Sequence, residues 1–295
     1  MNVLVACEES QAVTVELRRL GHQAFSCDVI ECSGGHPEWH IMQDVLPILN
    51  PGMQLEGLPH EYYGIKPFQT MDGEYHLITG KWDMIVAHPP CTYLSNAGAR
   101  WLYAGKQLNQ ERYAKGLEAK AFFMSFYNAD CPRIAVENPI PSSVYDMPKY
   151  TQIVQPYEYG HPWSKKTCLW LKGLEPLRPT NIIEDHRPFC SSGSYSGTHD
   201  PKYKGASRKG GSAKSRSKTF PGIARAIAEQ WGGRKEGEKM AKNVNDLTSE
   251  ELIEALRTCA ACGDEACLDC PAGITPGSDC CADLLTAAAD ALENA

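Results

Sequence analysis

Apolar residues in this chain gather mostly in short runs closed by glycine, proline or acidic residues. Asn2 to Cys7, Gln23 to Cys27, Trp82 to His88 and Arg133 to Val136 are such runs, and each reads as a buried strand. Gln11 to Leu20 has helical spacing instead, with Ser10 as expected N-cap and Gly21 as stop signal. Asn109 to Tyr127 reads as a long helix, with Tyr113, Leu117, Ala121, Phe122 and Met124 as the face that covers a sheet. Ile153-Val154 and Thr167 to Leu171 add strands, and Gly222 to Trp231 a further helix. The strand–helix–strand opening that ends at Asp28 predicts an α/β fold with a Rossmann-like first half. Pro51 to Lys81 is turn-rich and aromatic without a clear period, and is expected to be an insertion near the substrate face.

The pattern changes after residue 233. A charged linker, 234–245, leads into 246–295, where Leu252, Ile253 and Leu256 mark one short helix and Asp283 to Leu292 a closing one. Of the 13 cysteines, Cys259, Cys262, Cys267, Cys270, Cys280 and Cys281 lie in this tail. The Cys-x2-Cys-x4-Cys-x2-Cys spacing of Cys259, Cys262, Cys267 and Cys270 suits four thiolates on one structural zinc, which would order a segment too small for its own core. A free-thiol or disulfide-stapled helical hairpin is the competing reading.

Charge follows the same boundary. The net −7 of the 295-residue chain comes from residues 234–295, with 5 basic and 13 acidic side chains; the first 233 residues hold 24 basic and 23 acidic ones. A near-neutral main domain removes most of the objection that an acidic chain raises against a nucleic-acid partner. The acidic tail suits contact with another protein better than contact with DNA. No stretch approaches the ~20 apolar residues of a membrane span, and Met1 to Cys7 lacks a basic leader. The expected location is cytoplasmic.

Two strand ends carry candidate chemistry. Pro89-Pro90 ends the third apolar run and is followed by Cys91, while the fourth run delivers Glu137-Asn138-Pro139. Residues just past parallel strands lie at the carboxyl edge of a sheet, where ligands bind. A thiol and a carboxylate there form a nucleophile and a possible acid.

Pro89-Pro90-Cys91 with Glu137-Asn138 resembles the DNA cytosine-5 methyltransferase family, in which a Pro-Pro-Cys loop supplies the nucleophile and a Glu-Asn-Val turn the acid. Tyr159-Gly160-His161-Pro162-Trp163-Ser164-Lys165-Lys166-Thr167 is similar to a third family motif, with Lys165 and Thr167 in place of two arginines. Lys218-Thr219-Phe220-Pro221 stands where the last motif does. The resemblance covers residues 1–233 and implies a Rossmann-like S-adenosylmethionine-dependent methyltransferase fold that acts on cytosine C5. In it Cys91, Glu137, Asn138 and Lys165 form the catalytic group. Glu8 or Glu9 would meet the cofactor's ammonium group, Asp28 its ribose and Asp44 its adenine, with Pro89 beside the cofactor. The family's Gly-rich turn after the first strand is here Val5-Ala6-Cys7-Glu8-Glu9-Ser10-Gln11, without glycine.

The family reads double-stranded DNA from which one cytosine has been flipped. Only about 176–217 is left for recognition, a reduced region in which Lys202, Lys204, Arg208 and Lys209, together with Lys166, suit phosphate contact. The compact size suggests a phage or prophage enzyme working in a bacterial host. Two alternatives stay open: a related pyrimidine-modifying enzyme on the same scaffold, or a degenerate relative that binds DNA or a partner without turnover.

Overall fold

A computed structural model of the chain describes residues 1–52, 64–99, 101–104, 107–189 and 218–233. The chain divides into two units, Met1–Gly233 and Arg234–Ala295, and every described residue lies in the first. The expected linker and tail, with Cys259, Cys262, Cys267 and Cys270, fall outside the described residues, as do Lys202, Lys204, Arg208 and Lys209.

The chain opens with β1 (Asn2–Ala6), α1 (Ala12–Arg19), β2 (Gln23–Asp28), β3 (His40–Met42) and the short α2 (Leu46–Leu49). A hairpin of β4 (Gly64–Gln69) and β5 (Tyr75–Thr79) precedes β6 (Met84–Ala87) and the one-turn α3 (Asn96–Ala99). A small hairpin, β7 (Tyr103–Ala104) and β8 (Gln107–Leu108), leads to α4 (Gln110–Tyr127) and β9 (Ile134–Pro139). Then come β10 (Gln152–Val154), β11 (Trp163–Ser164), β12 (Thr167–Lys172) and β13 (Arg187–Pro188). Last is α5 (Pro221–Ile227), which runs on as a π-helical turn over Ala228–Gly232.

Seven strands form one mixed sheet in the order β10-β12-β9-β6-β1-β2-β3. β1 pairs in parallel with both β2 and β6, β2 with β3, and β6 with β9. β12 is antiparallel to β9 and to β10, so β10 runs the same way as β9. The central strands have no polar face because both sides are covered. On one side Leu4, Ala6, Ile85, Ala87, Ile134 and Val136 pack with Phe123 and Phe126 of α4. On the other, Val3, Val5, Met84, Val86 and Ala135 pack with Val13 and Leu17 of α1 and Ile223 and Ile227 of α5. Strand alternation sends neighbouring residues to opposite cores.

Two local expectations are corrected, and the 51–81 stretch takes a defined form. Ser10 does not cap α1; the cap position is Gln11, and the carboxylate of Glu8 accepts from the backbone N–H of Val13 (2.7 Å) and Thr14 (3.3 Å). Gly116, Phe123 and Phe126 are the buried residues of α4, and Tyr113, Phe122 and Met124 pack against the same core as expected, while Leu117 and Ala121 are exposed. The described part of the 51–81 stretch is an ordered hairpin whose Ile65, Phe68 and Ile78 enter the core beside Phe25 and Trp82. Its period was masked by a register shift between Ile65 and Phe68, since a bulge breaks strand alternation. Among the described residues, no helix is long and apolar enough to cross a membrane.

Candidate active site

The sheet order reverses between β1 and β6, and in open α/β sheets ligands bind beyond the carboxyl ends of the strands at such a point. β1 there gives way to Cys7-Glu8-Glu9, and β6 to His88-Pro89-Pro90-Cys91. Pro89 is buried and Pro90 exposed, and Cys91 is half-buried. The loop beyond Cys91 is tied to the segment after β9: Asn96 N–H donates to the Ile140 carbonyl (2.9 Å) and Ser142 N–H to that of Leu94 (2.8 Å). The loop that follows Cys91 and the segment that follows Glu137 are thus held together by the backbone.

Strand register accounts for the central contact. β6 and β9 run in parallel with Val86 opposite Ala135 and Ala87 opposite Val136. The next pair along is His88 and Glu137, on the face that carries Val86 and Ala135. His88 Nδ1 lies 2.9 Å from Glu137 Oε2, with side chains only 13% and 19% exposed. Burial works against the charged imidazole, but the bond to Glu137 and its charge, backed by Glu8, raise His88 above its ordinary value. Burial also works against the carboxylate, but His88 and then Lys165 hold Glu137 below the usual carboxylate range. Each group thus favours the charged form of the other.

Cys91 feels the same groups. Burial pushes its thiol up, Glu137 adds to the shift, and Lys165 opposes it. Lys165, just before β12, is therefore part of the group, whereas Lys166 is exposed and acts on Cys168. Asn138 is buried, one residue beyond Glu137 and so on the opposite side of β9. Its Nδ2 donates to the Pro139 carbonyl at 2.6 Å. The structure does not bring its side chain to Glu137.

A small cavity of about 20 Å³ lies among His88, Glu137, Lys165, Lys218 and Phe220, on the α5 side of the sheet. Lys218-Thr219-Phe220 thereby joins Glu137 and Lys165. The third motif meets the last one as well: Gly222 N–H donates to His161 Nε2 (3.0 Å), and a Cβ on Gly222 would lie 1.9 Å from the Tyr159 carbonyl oxygen. Only glycine allows the two segments to approach so closely.

The residues expected to hold S-adenosylmethionine divide into two groups. Asp28 ends β2 and Asp44 follows β3, and both raise the Cys7 thiol, after burial, so all three share one edge of the sheet. Val29, Ile30, Met42 and Leu46 are exposed at the same strand ends. Carboxylates beside apolar side chains fit a nucleoside, with hydroxyls to accept and a flat face to cover. Glu8 is a correction: it is 3% exposed, and its Oε2 also accepts from the Thr14 hydroxyl (2.8 Å), so it closes the α1 N-terminus instead of presenting a carboxylate to a ligand. The loop over 32–36 shuts against the same turn. His36 N–H donates to Gln11 Oε1 (3.0 Å), and Gln11 Nε2 to the His36 carbonyl (2.8 Å). Glu9 lies in that turn, and its carbonyl accepts from Ser33 N–H (2.7 Å). The missing glycines did not prevent the turn: Cys7 and Gln11 both take φ of 57°, a left-handed conformation costing about 1–2 kcal/mol per non-glycine residue.

His88, Glu8 as a cap, Lys218 and Phe220 carried no weight as site residues in the sequence. His88 could have been found from strand alternation, because it continues the Met84–Val86 face. Among the described residues no cluster of three or more His, Cys, Asp or Glu side chains could hold a metal ion.

No family model and no curated protein matches the chain. A crystal structure from an E. coli prophage, described as a candidate DNA modification methyltransferase, is similar over 68% of this chain, with 12% identity and a TM-score of 0.33. This chain spans 56% of that one.

Proposed function

We propose that this protein is an S-adenosylmethionine-dependent DNA methyltransferase acting on C5 of a flipped cytosine. The observation that carries the reading is the convergence of Cys91, Glu137 and Lys165, from three separate segments, at the sheet edge beyond β6 and β9. The sheet supports it too. With antiparallel β12 set aside, the order β3-β2-β1-β6-β9-β10 is the 3-2-1-4-5-6 order of doubly wound, nucleotide-binding folds.

Cytosine C5 is a weak nucleophile within an aromatic ring. The Cys91 thiolate adds to C6, which breaks the aromaticity and makes C5 enamine-like. Glu137 bonds N3 and stabilises the electron density that moves into the ring. Lys165 offsets the negative charge that Cys91 and Glu137 bring together. S-adenosylmethionine, when bound, supplies an electrophilic methyl group. Asp28 and Asp44 orient its nucleoside, while Pro89 closes the site behind Cys91. The C5 proton then leaves to a base, and Cys91 departs. Lys166 and the basic residues Lys202, Lys204, Arg208 and Lys209 are proposed to contact phosphates.

The test is expression of the full chain in a bacterial host, followed by sequencing of host DNA for 5-methylcytosine. Wild-type protein should mark discrete sites and Cys91→Ser none. Absence of 5-methylcytosine with wild-type protein, or marks that persist with Cys91→Ser, would overturn the reading.

A further inference from the structure

We propose that His88 is a positioning residue that stores the proton Glu137 presents to the target ring, so that the acid of this site is the His88–Glu137 pair. The inference rests on the cytosine reading above. A lone carboxylate held as Glu137 is held has nothing to donate to N3. His88 sits beside it by strand register, 2.9 Å from Oε2, and both side chains are mostly buried. His88 Nε2 is buried and meets no hydrogen-bond partner among the described residues. Nδ1 is therefore the ring atom through which the pair exchanges a proton. The adjoining space of about 20 Å³ has room for about one water, and side chains 13% and 19% exposed leave the pair little contact with bulk solvent.

Three groups act on the imidazole: Glu8 after β1, Glu137 on β9 and Lys165 before β12, while Cys91 follows His88's own strand. Glu8 and Glu137 favour the imidazolium, and Lys165 disfavours it. The step balances without an outside acid. Cys91 first gives its thiol proton to solvent. As the S–C6 bond forms, the C5–C6 double bond breaks and its electron pair moves into the ring toward N3. N3 takes the proton from the Glu137 carboxyl, which takes one from His88 Nδ1, leaving a neutral imidazole. When the S–C6 bond breaks, the proton returns along the same path.

The test replaces His88 with asparagine in the full chain. Asparagine Nδ2 can donate to Glu137 as Nδ1 does, but it holds no transferable proton. The kcat of His88→Asn on DNA should fall about 100-fold, the scale of a positioned proton donor, with KM for DNA little changed. The alkaline limb of the wild-type pH profile, where His88 is titrated, should vanish. Wild-type kcat and pH profile in His88→Asn would overturn the proposal, because the hydrogen bond alone would then suffice. A readout free of turnover is the 15N spectrum of the imidazole at neutral pH. His88 should carry protons on both nitrogens in wild-type protein and on one in Glu137→Gln. A singly protonated His88 in wild-type protein overturns this proposal alone. Wild-type protein without cytosine modification removes the function reading, and this proposal with it.

Discussion

The carboxyl edge of the sheet has two halves that handle charge in opposite ways. Beyond β6 and β9, His88 is met by Glu137, and Glu137 in turn feels Lys165 from the segment before β12, in a largely buried group. Beyond β2 and β3, Asp28 and Asp44 stand among exposed apolar side chains, and each accepts from a nearby backbone N–H group, that of Val29 (2.7 Å) and of Leu46 (3.1 Å). The first arrangement suits chemistry, because a buried pair can trade a proton where the field is strong. The second suits recognition, because carboxylates at an open edge can accept from a ligand with little reorganisation. Glu8 lies between the halves, capping α1 while adding its charge to His88.

This contrast can be broken most sharply at Cys91. Cys91→Ser should lose methyl transfer altogether but keep DNA affinity, since a hydroxyl ionises far less readily than a thiol. The check is an adduct assay on DNA containing 5-fluorocytosine, in which an adduct with the variant would remove Cys91 from the mechanism. Glu137→Gln comes next, with kcat lowered by about 100-fold or more and cofactor affinity unchanged by calorimetry. The other half should respond in the reverse sense. Asp28→Ala should weaken S-adenosylmethionine binding by about 1–3 kcal/mol, the range for leaving a polar partner unmet, with kcat at saturating cofactor close to wild type. If Asp28→Ala lowered kcat and left binding alone, the division of labour between the halves would be wrong.

The buried pair also leaves a signature in stability. Glu137 is depressed, so its contribution is present above the ordinary carboxylate value and is lost as pH falls through its folded value. His88 is raised, so its contribution is present below the ordinary imidazole value and is lost as pH rises through its folded value. Urea midpoints of wild type should therefore decline toward both extremes, and Glu137→Gln should lack the acid-side part of the decline. The smallest effect on chemistry belongs to Gly116→Ala on α4. A Cβ there would meet the Tyr145 ring at 2.1 Å. Overpacking should cost about 1–3 kcal/mol of stability while the folded fraction stays fully active.

The alternation of apolar runs and turns in the sequence was enough to locate the central strands, α1, α4 and α5 to within a few residues. It also put Cys91 and Glu137 just past, or at the end of, two of those strands, because strands buried on both faces are apolar throughout and any polar residue at their ends stands out. Pairing was beyond it. That Glu137 meets His88 depends on the register of β6 against β9, and two residues 49 positions apart share no local pattern. The cap on α1 was misread because the carboxylate that closes the helix comes from Glu8, three residues before the Gln11 cap position, through a turn with left-handed Cys7 and Gln11 that no glycine announces. The β4–β5 hairpin was hidden by its bulge. Local sequence sets periodicity and turn chemistry; which charges share one low-dielectric site is decided only when the sheet brings its strand ends together.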